Sequence, residues 1–177
     1  MTRNRKGLFN DLDGRIDTEQ ANDLAKQYPN MSYLGNGNAG IAYEHQNPNT
    51  VVKVTRDGLE AERAKELIGK VIPCCVQCFN VKEVGRGAWS IETEKVQPLS
   101  SDEKKLFDHI YNLEWSTEQQ HLMSDYVAKY GVTKYRQAKA EFTELCRCLR
   151  QHGVSDEDAA GVNLGRRNGK LILLDLG

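Results

Sequence analysis

Glycines at positions 35, 37 and 40, and a lysine at 53, are the first residues in this 177-residue chain whose types and spacing point to chemistry. The glycines form a G-x-G-x-x-G, with Asn36 and Asn38 in the gaps. Glycines lack a Cβ, so their backbone N–H groups approach a polyphosphate closely. Lys53 lies inside the apolar run Thr50 to Val54, where an ammonium is costly unless an anion meets it. Together they read as a phosphate-covering loop and a phosphate-gripping lysine. The same glycine pattern marks dinucleotide-binding turns, in which the last glycine opens a helix. Here Ile41, Ala42 and Tyr43 follow instead, then a turn cluster around Pro48. The expected order is strand, glycine loop, strand, turn, strand: a hairpin roofing a nucleotide.

A second group lies near the C-terminus. Asp158 and Asn163 form a D-x-x-x-x-N, and Asp175-Leu176-Gly177 follows an apolar strand. A carboxylate can orient an attacking hydroxyl and accept its proton. An amide oxygen and a second carboxylate can hold magnesium, a hard cation that prefers oxygen ligands. Asp156 is the alternative to Asp158 if two residues are inserted before Asn163.

The order of these parts is more specific than any one of them. It resembles the protein kinase-like superfamily, in particular the very small kinase-like proteins of phages and bacteria, over roughly residues 31 to 177. The resemblance implies an α+β, two-lobed fold: an antiparallel β-sheet N-lobe over 31–99 and a minimal, mainly helical C-lobe over 100–177. Residues 1–30 are left as a polar leader with a short helix, Asp17 to Gln27.

By the same resemblance, Gly35, Asn36, Gly37, Asn38 and Gly40 cover ATP. Lys53 pairs with a helix glutamate, for which Glu60, Glu62 and Glu66 are candidates. Glu60 shares a stripe with Ala64 and Leu67 and is the favoured one. Thr93 takes the gatekeeper place, and the Glu94 carbonyl and Val96 N–H meet the adenine edge. Asn163 and Asp175 hold Mg, and Asp158 is the catalytic carboxylate.

The implied activity is ATP- and Mg-dependent phosphoryl transfer to a hydroxyl, of the serine/threonine protein kinase type. The alternatives are a weak or inactive nucleotide-binding module that regulates a protein partner, and a small-molecule kinase. The chain departs from the family pattern in two ways. Asp156-Glu157 stands where His-Arg usually precedes the catalytic aspartate. No activation segment or A-P-E follows Gly177, which argues against a protein-substrate platform.

Several elements must position these groups. A helix is expected over Leu59 to Gly69, capped by Asp57, with Ala61, Ala64, Leu67 and Ile68 on one face. Strands are expected over Cys74 to Val84 and Ala88 to Lys95, joined at Gly85-Arg86-Gly87. Ser100 and Glu103 form a capping-box pattern. Thr117 and Gln120 open a second helix, and Thr133 to Gln151 carries a long apolar stripe ended by Gly153. Val162 to Arg166 and Lys170 to Leu174 read as strands around Asn168-Gly169. His152 belongs at the helix end, as a partner of its dipole.

Composition narrows the classes further. A net charge of −1 and a pI near 6.4 give no reason to expect nucleic acid. No apolar run is long enough for a membrane span, and the N-terminus lacks a secretory h-region. A cytoplasmic protein is expected, in the host cytoplasm if phage-encoded. The five cysteines, Cys74, Cys75, Cys78, Cys146 and Cys148, read as buried free thiols rather than a zinc site.

Overall fold

The computed structural model describes residues 31–36, 40–85, 87–115 and 127–176. The expected leader helix, the opening of the helix at Thr117, and Gly37, Asn38 and Gly177 lie outside the described residues. The described chain divides into two compact units: residues 31–70 with 77–95, and residues 71–76 with 96–176.

The first unit is a five-stranded antiparallel sheet with one helix. Its strands are β1 (Tyr33–Asn36), β2 (Gly40–Glu44), β3 (Thr50–Thr55), β4 (Cys78–Gly85) and β5 (Ala88–Glu94), in the order β1-β2-β3-β5-β4. The β2–β3 turn is closed by its own side chains. Asn47 Oδ1 accepts the Asn49 N–H at 3.0 Å, and His45 Nδ1 accepts the Asn47 N–H at 3.1 Å. Residues alternate faces along a strand, so Val52 and Val54 join Ile41 and Tyr43 in one buried cluster. Lys53 lies on the opposite face, with Ala42 and Ile91 as its cross-strand neighbours.

Helix α1 (Gly58–Leu67) starts as the sequence predicts. Asp57 accepts the Leu59 and Glu60 N–H groups at 2.9 and 3.2 Å. It packs against β4 and β5 through Ala61 and Ala64. It ends earlier than expected, because Gly69 turns into the left-handed region at φ 78°, and Ile68 is exposed.

One expected strand is corrected. Cys74 to Val84 is not continuous: β4 begins at Cys78, and residues 74–76 belong to the second unit. There the Cys74 carbonyl accepts the Leu173 N–H at 2.9 Å, and the Val76 N–H donates to the Leu173 carbonyl at 2.8 Å. Backbone groups already engaged in this way cannot also extend β4.

The second unit holds α2 (Ser101–Trp115), α3 (Val132–Gln151) and a three-stranded antiparallel sheet. The strands are β6 (Gln97–Pro98), β7 (Leu164–Arg167) and β8 (Lys170–Leu173), in that order. Leu106, Phe107, Ile110 and Leu113 of α2 form its core with Tyr135, Phe142, Leu145 and Leu149 of α3 and Ile172 and Leu173 of β8. The β7–β8 turn has Asn168 at φ 53° and Gly169 at φ 78°, the backbone that the Asn-Gly pair favours. β7 starts two residues later than expected, since 161–163 form a 3-10 turn closed by Asn163 N–H on the Ala160 carbonyl at 2.8 Å. His152 Nδ1 lies 2.9 Å from the Cys148 carbonyl at the end of α3, the place expected for it.

The expectation of five free thiols is overturned. Cys74 and Cys148 form a disulfide with a Cα–Cα distance of 6.1 Å, and Cys75, Cys78 and Cys146 are buried thiols outside any disulfide. Closing a loop this long stabilises by about 4 kcal/mol in the chain-entropy account. Burial, then the charges of Glu60 and Glu94, pushes the Cys78 thiol up to about 11. No described helix is long and apolar enough to cross a membrane.

The capping box forms as read. Glu103 Oε2 accepts the Ser100 N–H at 3.0 Å and the Ser100 hydroxyl at 2.8 Å, while the Glu103 N–H donates to Ser100 Oγ at 3.3 Å. Glu103 Oε1 also meets Arg166 Nε at 2.9 Å. The Ser100 N–H, more than the hydroxyl or Arg166, holds this carboxyl below its ordinary range. A depressed carboxylate stabilises the fold above its unfolded value near ~4.3, and the gain is lost as pH falls through the lower folded value. Glu103→Gln should therefore lower the melting temperature at neutral pH by a few degrees, about 1 kcal/mol. Thermal scans should show its gap from wild type closing between about pH 5 and 3; a gap undiminished in acid would assign the effect to packing.

Candidate functional site

Lys53 and Glu60 meet. Lys53 Nζ lies 2.6 Å from Glu60 Oε1, with the lysine side chain 24% exposed and the glutamate 3%. Asp57 sets the start of α1, which puts Glu60 in its first turn and on the buried side with Ala61 and Ala64. Glu62 and Glu66 are exposed, so the three-way choice resolves to Glu60.

Gly40 explains its own residue type. A Cβ there would lie 2.4 Å from the Val54 carbonyl oxygen and 3.2 Å from Lys53 Cε. At position 40 the chain thus comes too close to the β3 backbone for a side chain, and the end of the lysine stem lies nearby. Gly35 and Asn36 pair with Ala42 and Ile41 at the end of β1.

The hinge residues divide between the units. Thr93 and Glu94 end β5, opposite Val51 and Thr50. Glu94 exchanges two hydrogen bonds with Gln77: its N–H donates to the Gln77 carbonyl at 3.0 Å, and Oε1 accepts the Gln77 N–H at 2.8 Å. These bonds fix the end of β5 and hold the Glu94 backbone in place. Val96 belongs to the second unit and packs over Gly165, where a Cβ would lie 2.9 Å from Val96 Cγ2.

The second unit brings Asp158, Asn163 and Asp175 into one short stretch of structure. Asn163 Nδ2 donates to the Asp158 carbonyl at 2.9 Å, spanning the D-x-x-x-x-N loop from within. The Asn163 carbonyl accepts the Leu174 N–H at 2.8 Å, one residue before Asp175. With Nδ2 engaged, the Asn163 side chain has its oxygen left to present to a cation. An amide oxygen and the Asp175 carboxylate are hard oxygen donors, a set that suits magnesium. Cys74, Cys148 and His152 also cluster, but both sulfurs are in the disulfide and offer no thiolate to a metal.

Asp156 and Asp158 have different surroundings. Asp156 is buried, and Arg150 Nη2 meets its Oδ2 at 2.6 Å. Asp158 is half-buried. Sequence reasoning missed Arg150, because its partner lies beyond the end of α3 and only the chain reversal at Gly153 (φ 70°) brings the two together. The Tyr111 hydroxyl donates to the Glu157 carbonyl between the two aspartates. Burial, then the charges of Asp158, Glu157 and Asp156, pushes this phenol up, so it stays protonated and a donor.

A five-stranded antiparallel sheet with a β3 lysine paired to a helix glutamate, and a helical unit ending in a carboxylate–amide loop and hairpin, make a protein kinase-like fold. No family model matches the chain, and no curated protein matches it in sequence. Among solved structures it is similar to a thermostable mutant of the aminoglycoside phosphotransferase APH(4)-Ia in ternary complex with AMP-PNP and hygromycin B. That match has 12% identity and a TM-score of 0.44, over 90% of this chain and 71% of that one. A second mutant of that enzyme, with ADP and hygromycin B, matches at 12% identity and 0.42 over the same shares. The GDP and kanamycin complex of APH(2")-IIia matches at 12% and 0.38, over 89% and 71%.

The Lys53–Glu60 pair yields a prediction of sign. Lys53→Met strands a buried carboxylate and should cost about 3 kcal/mol, the lower end for a broken buried pair. Glu60→Leu alone should cost less, since Lys53 reaches water. Lys53→Met with Glu60→Leu should recover much of the loss in urea unfolding. Strict additivity of the single costs would remove the pair as a stabilising unit.

Proposed function

We propose that the chain binds ATP with magnesium and transfers the γ-phosphoryl group to a hydroxyl. The observation that carries this is the Lys53–Glu60 pair at 2.6 Å, with the side-chain-free position 40 beside the end of the lysine stem. A buried glutamate paired with an ammonium holds it at a set position on the sheet, which supports a role in meeting phosphate oxygens. Gly35, Asn36, Gly37, Asn38 and Gly40 would cover the phosphates. Thr93, the Glu94 carbonyl and the Val96 N–H would receive adenine. Asn163 and Asp175 would hold magnesium, which supplies charge neutralisation at the phosphates when bound. Asp158 would orient the acceptor hydroxyl and take its proton; its partial exposure and the hydrogen bond from Asn163 to its backbone carbonyl favour it over the buried Asp156.

The acceptor is a separate question. The similar solved structures are of aminoglycoside phosphotransferases, which are small-molecule kinases. A small-molecule hydroxyl is therefore the first acceptor class to try. A serine or threonine of a protein comes next, and the docking module acting on a protein partner is the outcome if nothing is phosphorylated. The site reading is independent of that choice.

Incubation with γ-labelled ATP and magnesium, with aminoglycosides, general protein substrates or the chain alone, tests the activity directly. Asp158→Asn should lower turnover by about 10²- to 10⁴-fold with ATP affinity nearly unchanged. Asp156→Asn should lower the melting temperature while keeping most turnover per folded molecule. If the two patterns are exchanged, the carboxylate is Asp156. Asp175→Asn should abolish the magnesium dependence of nucleotide binding, read as the loss of the magnesium-dependent part of the ATP thermal shift. ATP binding without transfer to any acceptor or to water would leave a nucleotide-binding module in place of an enzyme.

A further inference from the structure

Helix α2 meets the D-x-x-x-x-N loop at two points that neither the sequence reading nor the proposed chemistry uses. The first is Gly161, midway between Asp158 and Asn163. A Cβ on Gly161 would lie 2.2 Å from the Lys104 carbonyl oxygen and 3.1 Å from the Asp108 backbone nitrogen. The loop backbone thus rests directly on the turn of α2 from Lys104 to Asp108. At that contact the Gly161 N–H donates to Asp108 Oδ1 at 2.7 Å. The second point is one turn further along α2, where the Tyr111 hydroxyl donates to the Glu157 carbonyl. Lys104, Asp108 and Tyr111 follow one another at helical spacing and share a face. Asp108 and Tyr111 therefore grip the backbone on either side of Asp158, three residues after it and one before.

We infer that Asp108 is a positioning residue for phosphoryl transfer: it fixes the 158–163 loop on α2 so that Asp158 and Asn163 are presented together. This rests on the reading of Asp158 and Asn163 proposed above. The chemistry of the contact fits the role. A carboxylate accepting a backbone N–H makes a short, charge-assisted bond, and 2.7 Å is in that range. Aspartate is a poor helix former inside a helix, so its place in α2 has to be explained by what it holds. The absent Cβ of Gly161 lets the loop come close enough for the bond. Asn163 then closes the loop from within by donating to the Asp158 carbonyl at 2.9 Å. A loop pinned from one side by α2 and from inside by Asn163 has little freedom to turn Asp158 away.

Three variants test this: Asp108→Ala, which removes the acceptor; Asp108→Asn, which keeps an acceptor oxygen; and Tyr111→Phe, which removes one hydroxyl. Magnesium-ATP turnover, with water or an acceptor, is measured beside the NMR signals of the Asn163 side-chain amide and the Gly161 N–H. Asp108→Ala should lower kcat by roughly 10- to 100-fold, with KM for ATP within about twofold, as misplacement near the chemistry does. It should also shift the Asn163 amide and speed exchange of the Gly161 N–H. Asp108→Asn should restore most of kcat and of the Gly161 protection, and Tyr111→Phe should give a smaller loss of the same kind. An unchanged kcat in Asp108→Ala overturns the inference. So does a kcat loss that Asp108→Asn shares in full, or a loss confined to KM. If wild type turns over no ATP, the proposed function falls. The spectra then decide Asp108 alone: an Asn163 amide unmoved by Asp108→Ala removes its positioning role, and a moved one keeps it.

Discussion

A carboxylate that is 3% exposed has to meet a cation, and much of the first unit is arranged so that Glu60 does. The cation must come from the sheet, so Lys53 has to point away from the Val52–Val54 face. Strand alternation does this, and a one-residue slip of β3 would put the lysine in the apolar cluster. The glutamate must come from the first turn of α1, so the helix start is pinned by Asp57. Position 40 is a glycine because a Cβ there would meet the Val54 carbonyl oxygen, with the lysine stem close by. Cap, register and close approach thus serve one 2.6 Å contact.

The second unit solves a different problem: holding short polar segments against an apolar core without a long element to carry them. Asp158 and Asn163 lie on a loop and a 3-10 turn, and neither has a helical or strand ladder of its own. Their backbone is held by side chains from other elements and by a hydrogen bond to the chain just after β8. Arg166 does related work on β7, where its guanidinium joins Glu103 at 2.9 Å, Glu141 at 3.1 Å and the Gly169 carbonyl at 2.8 Å. A planar, five-donor group can tie α2, α3 and the hairpin turn at once, which a lysine could not. The disulfide adds a covalent tie between the segment that pairs with β8 and the end of α3.

Much of this is legible in the chain. The helix of Glu60 follows from an aspartate cap and an alanine stripe. The capping box at Ser100, the stop at Gly153 and the Asn168-Gly169 turn are local signals whose physics acts within four residues. Such elements form in the places and of the types expected. Boundaries moved for different reasons: β4 from Cys74 to Cys78, where the backbone found a partner far along the chain, and β7 from Val162 to Leu164, where residues 161–163 close a local 3-10 turn. No local pattern reports that Cys74 will bond to Leu173 and Cys148, because the separation of 74 residues between the cysteines is closed only by the packing of α3. The cysteine reading failed for the same reason: burial was legible, pairing was not.

The sequence by itself determined which residues could do chemistry, since residue type and short-range spacing are properties of the chain. It narrowed the lysine's partner to three glutamates and the loop carboxylate to two aspartates. Only the tertiary structure decided that Glu60 meets Lys53, that Asp156 is taken by Arg150, and that Asp158 shares a loop closed by Asn163. Those outcomes depend on which face a helix buries and which residue a chain reversal brings near. The helix face is set by packing against strands elsewhere in the chain, and the chain reversal by a backbone path between residues only five or six apart that residue type alone does not report.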